Sequence, residues 1–523
     1  MIPLLSVIVA TLAAGTVLTF LAGSRARWVA LATTIVFLAE VAALFAAFPG
    51  WPGYNSALVP GFADGESYSW ISIAWMHVNY TVGVDGISLV LILLTAVLQL
   101  ATVVYSWEEQ KRPAAYFGLV LLTCFGCFGV FIALDVLLFF LFWEAVLIPM
   151  FFLIGYWGGP QRRYAALKFF VYTHVASIVM LVGMLALVFY SGAASFDFSA
   201  IYASARGLSS VLQSFMFLAL FFGFGVKFPI VPFHTWLPDA HVEAPTGGSV
   251  LLAGLLLKLG AYGLIRWAVE LLPSGLHTMQ PVLYVVAFVS IIWGSVLSLS
   301  QRVMKRLVAY SSINHMGIVL LAIALDSSLG LLAAVLLMFA HGIVSALLFM
   351  ASGSVHHTFG TRDIPAVGGI TPTTPTLSTL IMVGSLASLG LPALISFPAE
   401  FTALPHGNRQ YTEDLVAVDL GAGMVDGQAP VGVAVVRDAQ VCAVLHDRAL
   451  QHPEMGRPIA VVDVEPVGLG PDDVDLGARC AEGLRRHLRG GTVRGIDDDL
   501  ESLEPVGKAA KQMRDIAGAA VLQ

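Results

Sequence analysis

Twelve apolar segments dominate the first 403 residues of this chain. They run over 2–22, 28–48, 87–106, 115–134, 136–157, 168–190, 210–234, 248–272, 281–300, 305–325, 329–353 and 375–403. About 20 helical residues cross the roughly 30 Å hydrocarbon core of a bilayer. Of the 523 residues, 58% are hydrophobic and 12% are charged, which excludes a soluble globular domain of this size. The sequence therefore predicts an all-α polytopic membrane protein with about twelve transmembrane helices.

The basic residues in the loops predict how the chain is oriented. Loops that follow odd-numbered segments hold eleven Lys and Arg residues, whereas loops that follow even-numbered segments hold only Arg206 and Arg266. Cytoplasmic loops carry the excess of positive charge. We therefore expect a multi-pass protein of the cytoplasmic (inner) membrane with an extracytoplasmic N-terminus.

Three ionisable residues lie deep inside apolar segments: Glu144, Lys227 and Lys258. A charge at the centre of a spanning helix costs at least roughly 2.5 to 3.5 kcal/mol, so such residues usually mark an ion or proton path. The alternatives are a lysine that extends its ammonium towards the membrane surface and a glutamate that is only a structural partner. Both lysines are flanked by long apolar runs, which argues against the first alternative.

Two segments carry helix-breaking residues. The seventh has Pro229, Pro232 and Pro238 around Lys227, and the twelfth has Gly390, Pro392 and Pro398 before Glu400. Proline removes a backbone donor and collides with the preceding turn, so both segments are predicted to be discontinuous. Broken helices at corresponding places in two halves indicate an inverted-repeat transporter with its ion site near the midplane. The repeat would pair segments four to eight with nine to thirteen, which leaves the second half one segment short.

Residues 405–523 differ in composition from everything before them. From His406 onwards the chain holds 19 acidic and 12 basic residues and neither Phe nor Trp. A segment so poor in aromatic residues is poorly equipped to bury a core. Its richness in Gly, Asp, Val and Arg is typical of a GC-rich gene read in a wrong frame, and the alternative is an appended soluble segment.

Several motifs resemble the antiporter-like membrane subunits of bacterial complex I, the NADH-quinone oxidoreductase, and among these subunit M. They are NYTVGVDGISLVLILLT (79–95), LFWEAVLIPMFFLIGYWGG (141–159), RRYAALKFFVYT (162–173), VKFPIVPFHTWLPDAHVEAPTGGSVLLAGLLLKLGAYGLIR (226–266) and KRLVAYSSINHMG (305–317). The resemblance covers about residues 1–403. It implies fourteen helices with two inverted five-helix repeats, other membrane subunits and the bilayer as partners, and protons as the transported species.

The resemblance also implies that this chain holds no flavin, iron–sulfur cluster or nucleotide, and no nucleic-acid partner is expected. The C-x-x-C pair of Cys124 and Cys127 lacks two further ligands nearby, so no metal site is expected either. Redox chemistry is therefore expected in other subunits.

The resemblance further implies roles for individual residues. Glu144 would face Lys227 across adjacent helices, Lys258 would be the central relay, and Glu400 would be the terminal carboxylate. Protons would pass between them through His234, His315 and His341, because neutral imidazole both donates and accepts near physiological pH. A membrane histidine can instead simply bond a neighbouring helix. Without the missing segments, Glu400 is expected to be open to lipid or bulk water.

These observations predict three regions and one leading function. The regions are 1–110 with the first three helices, 111–404 with the antiporter-like repeats, and the polar segment 405–523. The leading function is a proton-translocating subunit of NADH-quinone oxidoreductase. The alternatives are a subunit of a multi-protein sodium/proton antiporter and a truncated scaffold that translocates nothing.

Overall fold

The computed structural model describes residues 3–48, 62–73 and 76–403, which all lie in one compact unit. The predicted polar segment 405–523 lies outside the described residues. The described part is almost entirely helical, apart from one pair of strands, and its helices follow the apolar segments of the sequence.

The described residues form the following elements, given in chain order. The first region contains α1 (Leu4–Leu21), α2 (Ala26–Ala47), β1 (Ala63–Ile73), β2 (Met76–Val84) and α3 (Gly86–Tyr105). The next helices are α4 (Pro113–Ile132), α5 (Val136–Ala145), α6 (Leu147–Trp157), α7 (Arg162–Ser191), α8 (Phe198–Ala205), α9 (Ser210–Lys227) and α10 (Leu237–Glu243). Then come α11 (Thr246–Leu251), a π-helical segment π1 (Leu252–Leu256), α12 (Leu257–Gly263), a second π-helical segment π2 (Leu264–Val269) and α13 (Pro273–Leu299). The described chain ends with α14 (Met304–Ala324), α15 (Ser328–Phe359), α16 (Pro375–Ser388) and α17 (Ser396–Ala403).

Eleven helical segments of the described residues are long and apolar enough to cross a membrane, where twelve were predicted. The twelfth predicted segment is split into α16, of 14 residues, and α17, of 8 residues. Gly390 lies in the break with φ of 65°, a left-handed conformation that glycine adopts without strain. The predicted discontinuity is present, and it leaves neither piece long enough to span by itself.

The antiparallel hairpin of β1 and β2 was not predicted. Its register places Tyr68 opposite Tyr80, and β-branched and aromatic residues are frequent along both strands. Glu66 on β1 accepts the backbone N–H groups of Leu5 (3.0 Å) and Ser6 (3.2 Å), so it caps the start of α1. The hairpin therefore ties together the helix ends on one side of the helix bundle, which we call the hairpin side.

The seventh segment is broken where the sequence predicted. Helix α9 ends at Lys227, and the irregular stretch 228–236 precedes α10. The indole of Trp236 donates to the carbonyl of Val226 (2.8 Å), one of the carbonyls that the ended helix leaves free. A further interruption, at Val146 between α5 and α6, was not predicted. It lies three residues before Pro149, which has no N–H to donate to the carbonyl of Ala145.

Burial separates the inner helices from the outer ones. Every residue of the apolar window within Thr246–Val269 is buried, whereas α13 exposes an apolar stripe that includes Phe288, Ile292 and Val296. A helix that is apolar all round belongs in the interior of a large membrane protein. The segment that carries Lys258 is thus the central helix of the described bundle.

Candidate functional site

Lys227 is the last residue of α9 and is buried, with 3% of its surface exposed. Its Nζ donates to the carbonyl of Trp143 (3.2 Å) and lies 3.7 Å from the centre of the Trp143 ring. The face of an aromatic ring attracts a cation, and the attraction is larger in a desolvated site. Trp143 therefore provides both polar and aromatic stabilisation to the ammonium group.

Glu144 does not form the direct pair with Lys227 that the resemblance implied. Within the described residues, its Oε2 lies 2.9 Å from Nδ1 of His174 on α7, and no ion pair joins it to Lys227. The interruption beside Glu144, between α5 and α6, allows its side chain to lie towards α7. Glu144 nevertheless interacts electrostatically with Lys227, so the two groups are neighbours without contact.

The carboxylate of Glu144 lies at the edge of the bundle. It lines a cavity of about 530 Å³ together with Trp70 of β1 and Leu141 of α5. Its Oε1 is buried and has no hydrogen-bond partner among the described residues. His174 was not among the relay residues that the resemblance implied, although it lies in the motif FFVYTH (169–174) of the helix that follows the Glu144 segment.

Lys258 is fully buried on α12, between π1 and π2. Its Nζ donates to the carbonyl of Ala253 (2.5 Å) and lies 2.7 Å from Nδ1 of His341 on α15. π-helical turns interrupt the regular backbone bonding and are frequent at functional sites. Here the carbonyl of Ala253, which accepts the hydrogen bond from the Lys258 ammonium group, belongs to π1.

Two histidines continue from Lys258 towards the second broken helix. Nε2 of His341 lies 3.0 Å from Oγ of Ser312, and the ring centres of His341 and His315 are 5.2 Å apart. His315 in turn lies with Nε2 3.5 Å from Oε1 of Glu400. The structure therefore brings together four of the predicted residues in the order Lys258, His341, His315 and Glu400.

Glu400 lies on α17 with its side chain 23% exposed, and its Oε1 is buried against His315. The expectation that Glu400 is open to lipid or bulk water is therefore wrong for this oxygen. Across the break, Gly390 approaches the same carboxylate so closely that a Cβ atom at residue 390 would collide with Oε2. The bend at Gly390 and the position of Glu400 are thus linked.

His234 lies in the irregular stretch after α9 and is 8% exposed. Its Nδ1 is buried and has no hydrogen-bond partner among the described residues. Within the described residues, His234 makes no direct contact with Lys227 or Lys258. The structure therefore leaves His234 near the break without assigning it a partner.

His241 was missed by the sequence reasoning. It is fully buried on α10, stacks on the ring of Phe349 at 4.5 Å, and both of its nitrogens have no partner among the described residues. It interacts electrostatically with Lys258 and with the buried Lys305. Its place in the long motif WLPDAH was the only available signal in the sequence.

Five of the fourteen buried side-chain atoms without a partner among the described residues belong to these site residues. Those of the site are Oε1 of Glu144, Nδ1 of His234, both ring nitrogens of His241 and Oε1 of Glu400. Buried polar groups that lack a protein partner usually bind ordered water. The geometry is therefore that of two polar clusters, around Lys227 and around Lys258, that suit a hydrated path through the bundle.

Comparisons with known proteins decide the family. A family model described as NADH:quinone oxidoreductase/Mrp antiporter, transmembrane, matches residues 133–423, which is more than half of the chain. The chain belongs to this family. The resemblance that the motifs indicated is confirmed for the NADH:quinone oxidoreductase/Mrp antiporter family, and so is the polytopic helical fold class.

Individual members of the family agree. The chain is 43% identical over 348 residues to F(420)H(2) dehydrogenase subunit M of Methanosarcina mazei, which covers 65% of this chain and 69% of the relative. It is 40% identical over 393 residues to NADH-quinone oxidoreductase subunit M of Rhodobacter capsulatus, with 73% and 74% covered. Among solved structures, it matches a chain of respiratory complex I from Thermus thermophilus with a TM-score of 0.69 and 28% identity, covering 76% of this chain and 81% of that one.

Proposed function

We propose that this chain is the antiporter-like, proton-translocating membrane subunit of an NADH-quinone oxidoreductase, and that Lys227, Lys258, His341, His315 and Glu400 carry the protons. The family and the names of its members support the first part. The second part is supported by the contacts that lead from Lys258 through His341 and His315 to Glu400. Electron transfer takes place in other subunits, which are the partners of this chain in the membrane complex.

The observation that carries the proposal is the continuous line of groups from Lys258 to Glu400. Distances of 2.7 Å from Lys258 to His341 and 3.5 Å from His315 to Glu400 are within reach of a hydrogen bond or of a small rearrangement. The two histidine ring centres lie 5.2 Å apart, and Nε2 of His341 contacts the hydroxyl of Ser312, so the step between the rings would need a bridging water. Both ring nitrogens of His315 also lie close to backbone carbonyls, Nδ1 to that of Ser311 (2.7 Å) and Nε2 to that of Ser388 (3.0 Å). A proton from Lys258 therefore passes His315 only when one of these bonds opens, and Nε2 can then turn from Ser388 to Glu400.

The Lys227 cluster is the proposed switch at the other end of the path. Glu144 shares its carboxylate with His174 and attracts Lys227 from a distance. A movement of Glu144 towards Lys227 strengthens the attraction and favours the protonated lysine, and a movement towards His174 weakens it. Small displacements of one carboxylate would therefore load or release a proton at Lys227.

We further propose an orientation for the chain. The excess of eleven basic residues against two supports a cytoplasmic location for the loops after odd-numbered segments, with the hairpin side facing outwards. The exposed apolar stripe of α13 then faces lipid or a neighbouring subunit. This orientation puts the N-terminus outside the cytoplasmic membrane.

The second candidate function is that of a sodium/proton antiporter subunit, since the description of the matching family includes the Mrp antiporter. Such a subunit would use the same buried lysines without a redox partner. It would exchange sodium for protons in vesicles that receive no electron donor. A scaffold that translocates nothing would do neither.

The test replaces Lys258 with methionine in the intact complex and measures acidification of inside-out vesicles driven by NADH oxidation. Loss of the proton gradient with continued quinone reduction is the expected result, because methionine retains the length of the side chain and removes the proton site. Lys111→Met is the matched control, since the Lys111 ammonium lies in an exposed loop against Tyr156. Normal gradient formation by Lys258→Met would refute the relay, and a sodium-dependent gradient without NADH would favour the antiporter.

A further inference from the structure

Arg266 is a buried cation on the same helical segment as Lys258, at the hairpin side. It is 2% exposed and lies on π2, eight residues after Lys258, or about 12 Å along the segment. Its guanidinium binds the carboxylate of Glu270 with two bonds of 2.9 Å and forms a further ion pair with Asp85, the N-cap of α3. The segment that carries the central relay thus ends in a fixed positive charge.

Aromatic rings surround the guanidinium group. We call Phe62, Phe198 and Tyr262 the aromatic collar; the Arg266 carbon Cζ lies 4.7, 5.8 and 5.4 Å from their respective ring centres. The hydroxyl of Tyr262 donates to the carbonyl of Phe131 on α4 (3.0 Å), which fixes the ring. Four different parts of the chain therefore converge on one charged group, whose Nε is buried without a hydrogen-bond partner among the described residues.

The cluster is graded in exposure. The Arg266 side chain is 3% exposed, whereas those of Asp85 and Glu270 are 17% and 26% exposed. The carboxylates thus lie towards the surface and the guanidinium towards the interior. Burial would raise the pKa of Asp85, yet the charge of Arg266 and the backbone N–H of Ser88 hold it below its usual value.

A guanidinium is always protonated and has no acceptor, so it cannot pass a proton onwards. Because the guanidinium lies on the interior side of its two carboxylate partners, a proton that arrives from Lys258 meets the positive end of the cluster first, as cations do in pores that exclude them. If Arg266 only held the helix ends together, its two ion pairs would be sufficient. The collar adds an apolar surrounding where the relay segment approaches the hairpin side.

We propose that Arg266 and the aromatic collar form a seal that prevents protons on Lys258 from leaving at the hairpin side of the first repeat. Protons are thereby directed to His341, His315 and Glu400. The inference rests on the relay proposed above. It adds the reason why protons on the relay do not leak out at the hairpin side.

The experiment measures passive proton leak, with no electron donor present, in vesicles that contain the assembled complex. An acid jump imposes a pH difference, and a trapped dye follows its decay. Arg266→Gln is expected to speed the decay several-fold, and Phe198→Ala, which opens the collar and leaves the ion pairs intact, is expected to do the same. Arg206→Gln is the matched control, because Arg206 is exposed and stacks on Tyr202 at 4.3 Å.

A double variant separates the seal from the relay. If the leak runs through Lys258, then Lys258→Met in the Arg266→Gln background restores the slow decay. A fast leak that persists in the double variant would keep the seal and refute the relay as its source. Wild-type decay in both assembled single variants would overturn the seal; if Arg266→Gln does not assemble, wild-type decay in Phe198→Ala alone overturns it.

Discussion

Gly390→Ala is the substitution for which the structure makes the most specific prediction. Gly390 has φ of 65°, and a Cβ atom there would collide with Oε2 of Glu400. The left-handed conformation alone costs an alanine about 1–2 kcal/mol. The collision adds a displacement of the carboxylate, which lies 3.5 Å from His315.

The matched control is Gly360→Ala. Gly360 has φ of 70° and ends α15, and a Cβ atom there meets nothing within 4 Å. Both variants therefore carry the same backbone strain of about 1–2 kcal/mol, and only the change at Gly390 moves Glu400. The comparison isolates the position of the carboxylate from the stability of the helix end.

The assay combines thermal stability of the purified complex with proton pumping in inside-out vesicles. Both variants are expected to lose a similar amount of stability. Misplacing a reacting group by about 1 Å can lower a rate by on the order of 100-fold. Gly390→Ala is therefore expected to lose most of its proton pumping, and Gly360→Ala is expected to retain it. Equal pumping by the two variants would refute the reasoning that Glu400 must stay beside His315.

Two further predictions concern the other cluster and a helix end. Glu144→Ala and Lys227→Ala are each expected to abolish proton pumping, measured as above, with normal assembly on native gels. The control is Glu108→Ala, because Glu108 is exposed. Normal pumping by Glu144→Ala or by Lys227→Ala would contradict the proposed switch. Burial raises the pKa of Asp135, which precedes the fifth spanning segment, to about 7. The folded state therefore keeps a proton that the unfolded chain releases above about pH 4, so stability should fall as pH rises from about 4 to 7. The melting temperature of the wild type should therefore fall over this pH range, and Asp135→Asn should reduce this fall. An unchanged fall in the variant would mean that other groups cause it.

The helical framework was predictable because its signals are local. Apolar runs of sufficient length locate the spanning helices, and Pro229 and Pro232 locate the end of α9 at Lys227. Proline acts on its own turn of the helix, so no knowledge of neighbours is needed. The same rule applied to Pro149 would have found the interruption beside Glu144.

The contacts of the site depend on tertiary structure and were less accessible. The partner of Glu144 is His174, because the interrupted helix lets the carboxylate lie towards α7. The approach of Gly390 to Glu400 and the stacking of His241 on Phe349 join residues that no local pattern relates. The hairpin was missed because its strands lie between apolar segments whose helical signal is much stronger.

The central claim is that protons follow a hydrated path between Lys227 and Lys258 and from Lys258 to Glu400. A cryo-electron microscopy map of the intact complex, at a resolution that resolves ordered water, tests this claim most directly. We expect water at the unpartnered atoms of the site, Oε1 of Glu144, Nδ1 of His234, both nitrogens of His241 and Oε1 of Glu400, and a chain of water between the two lysines. A dry, apolar gap between Lys227 and Lys258 in every state of the catalytic cycle would contradict the account.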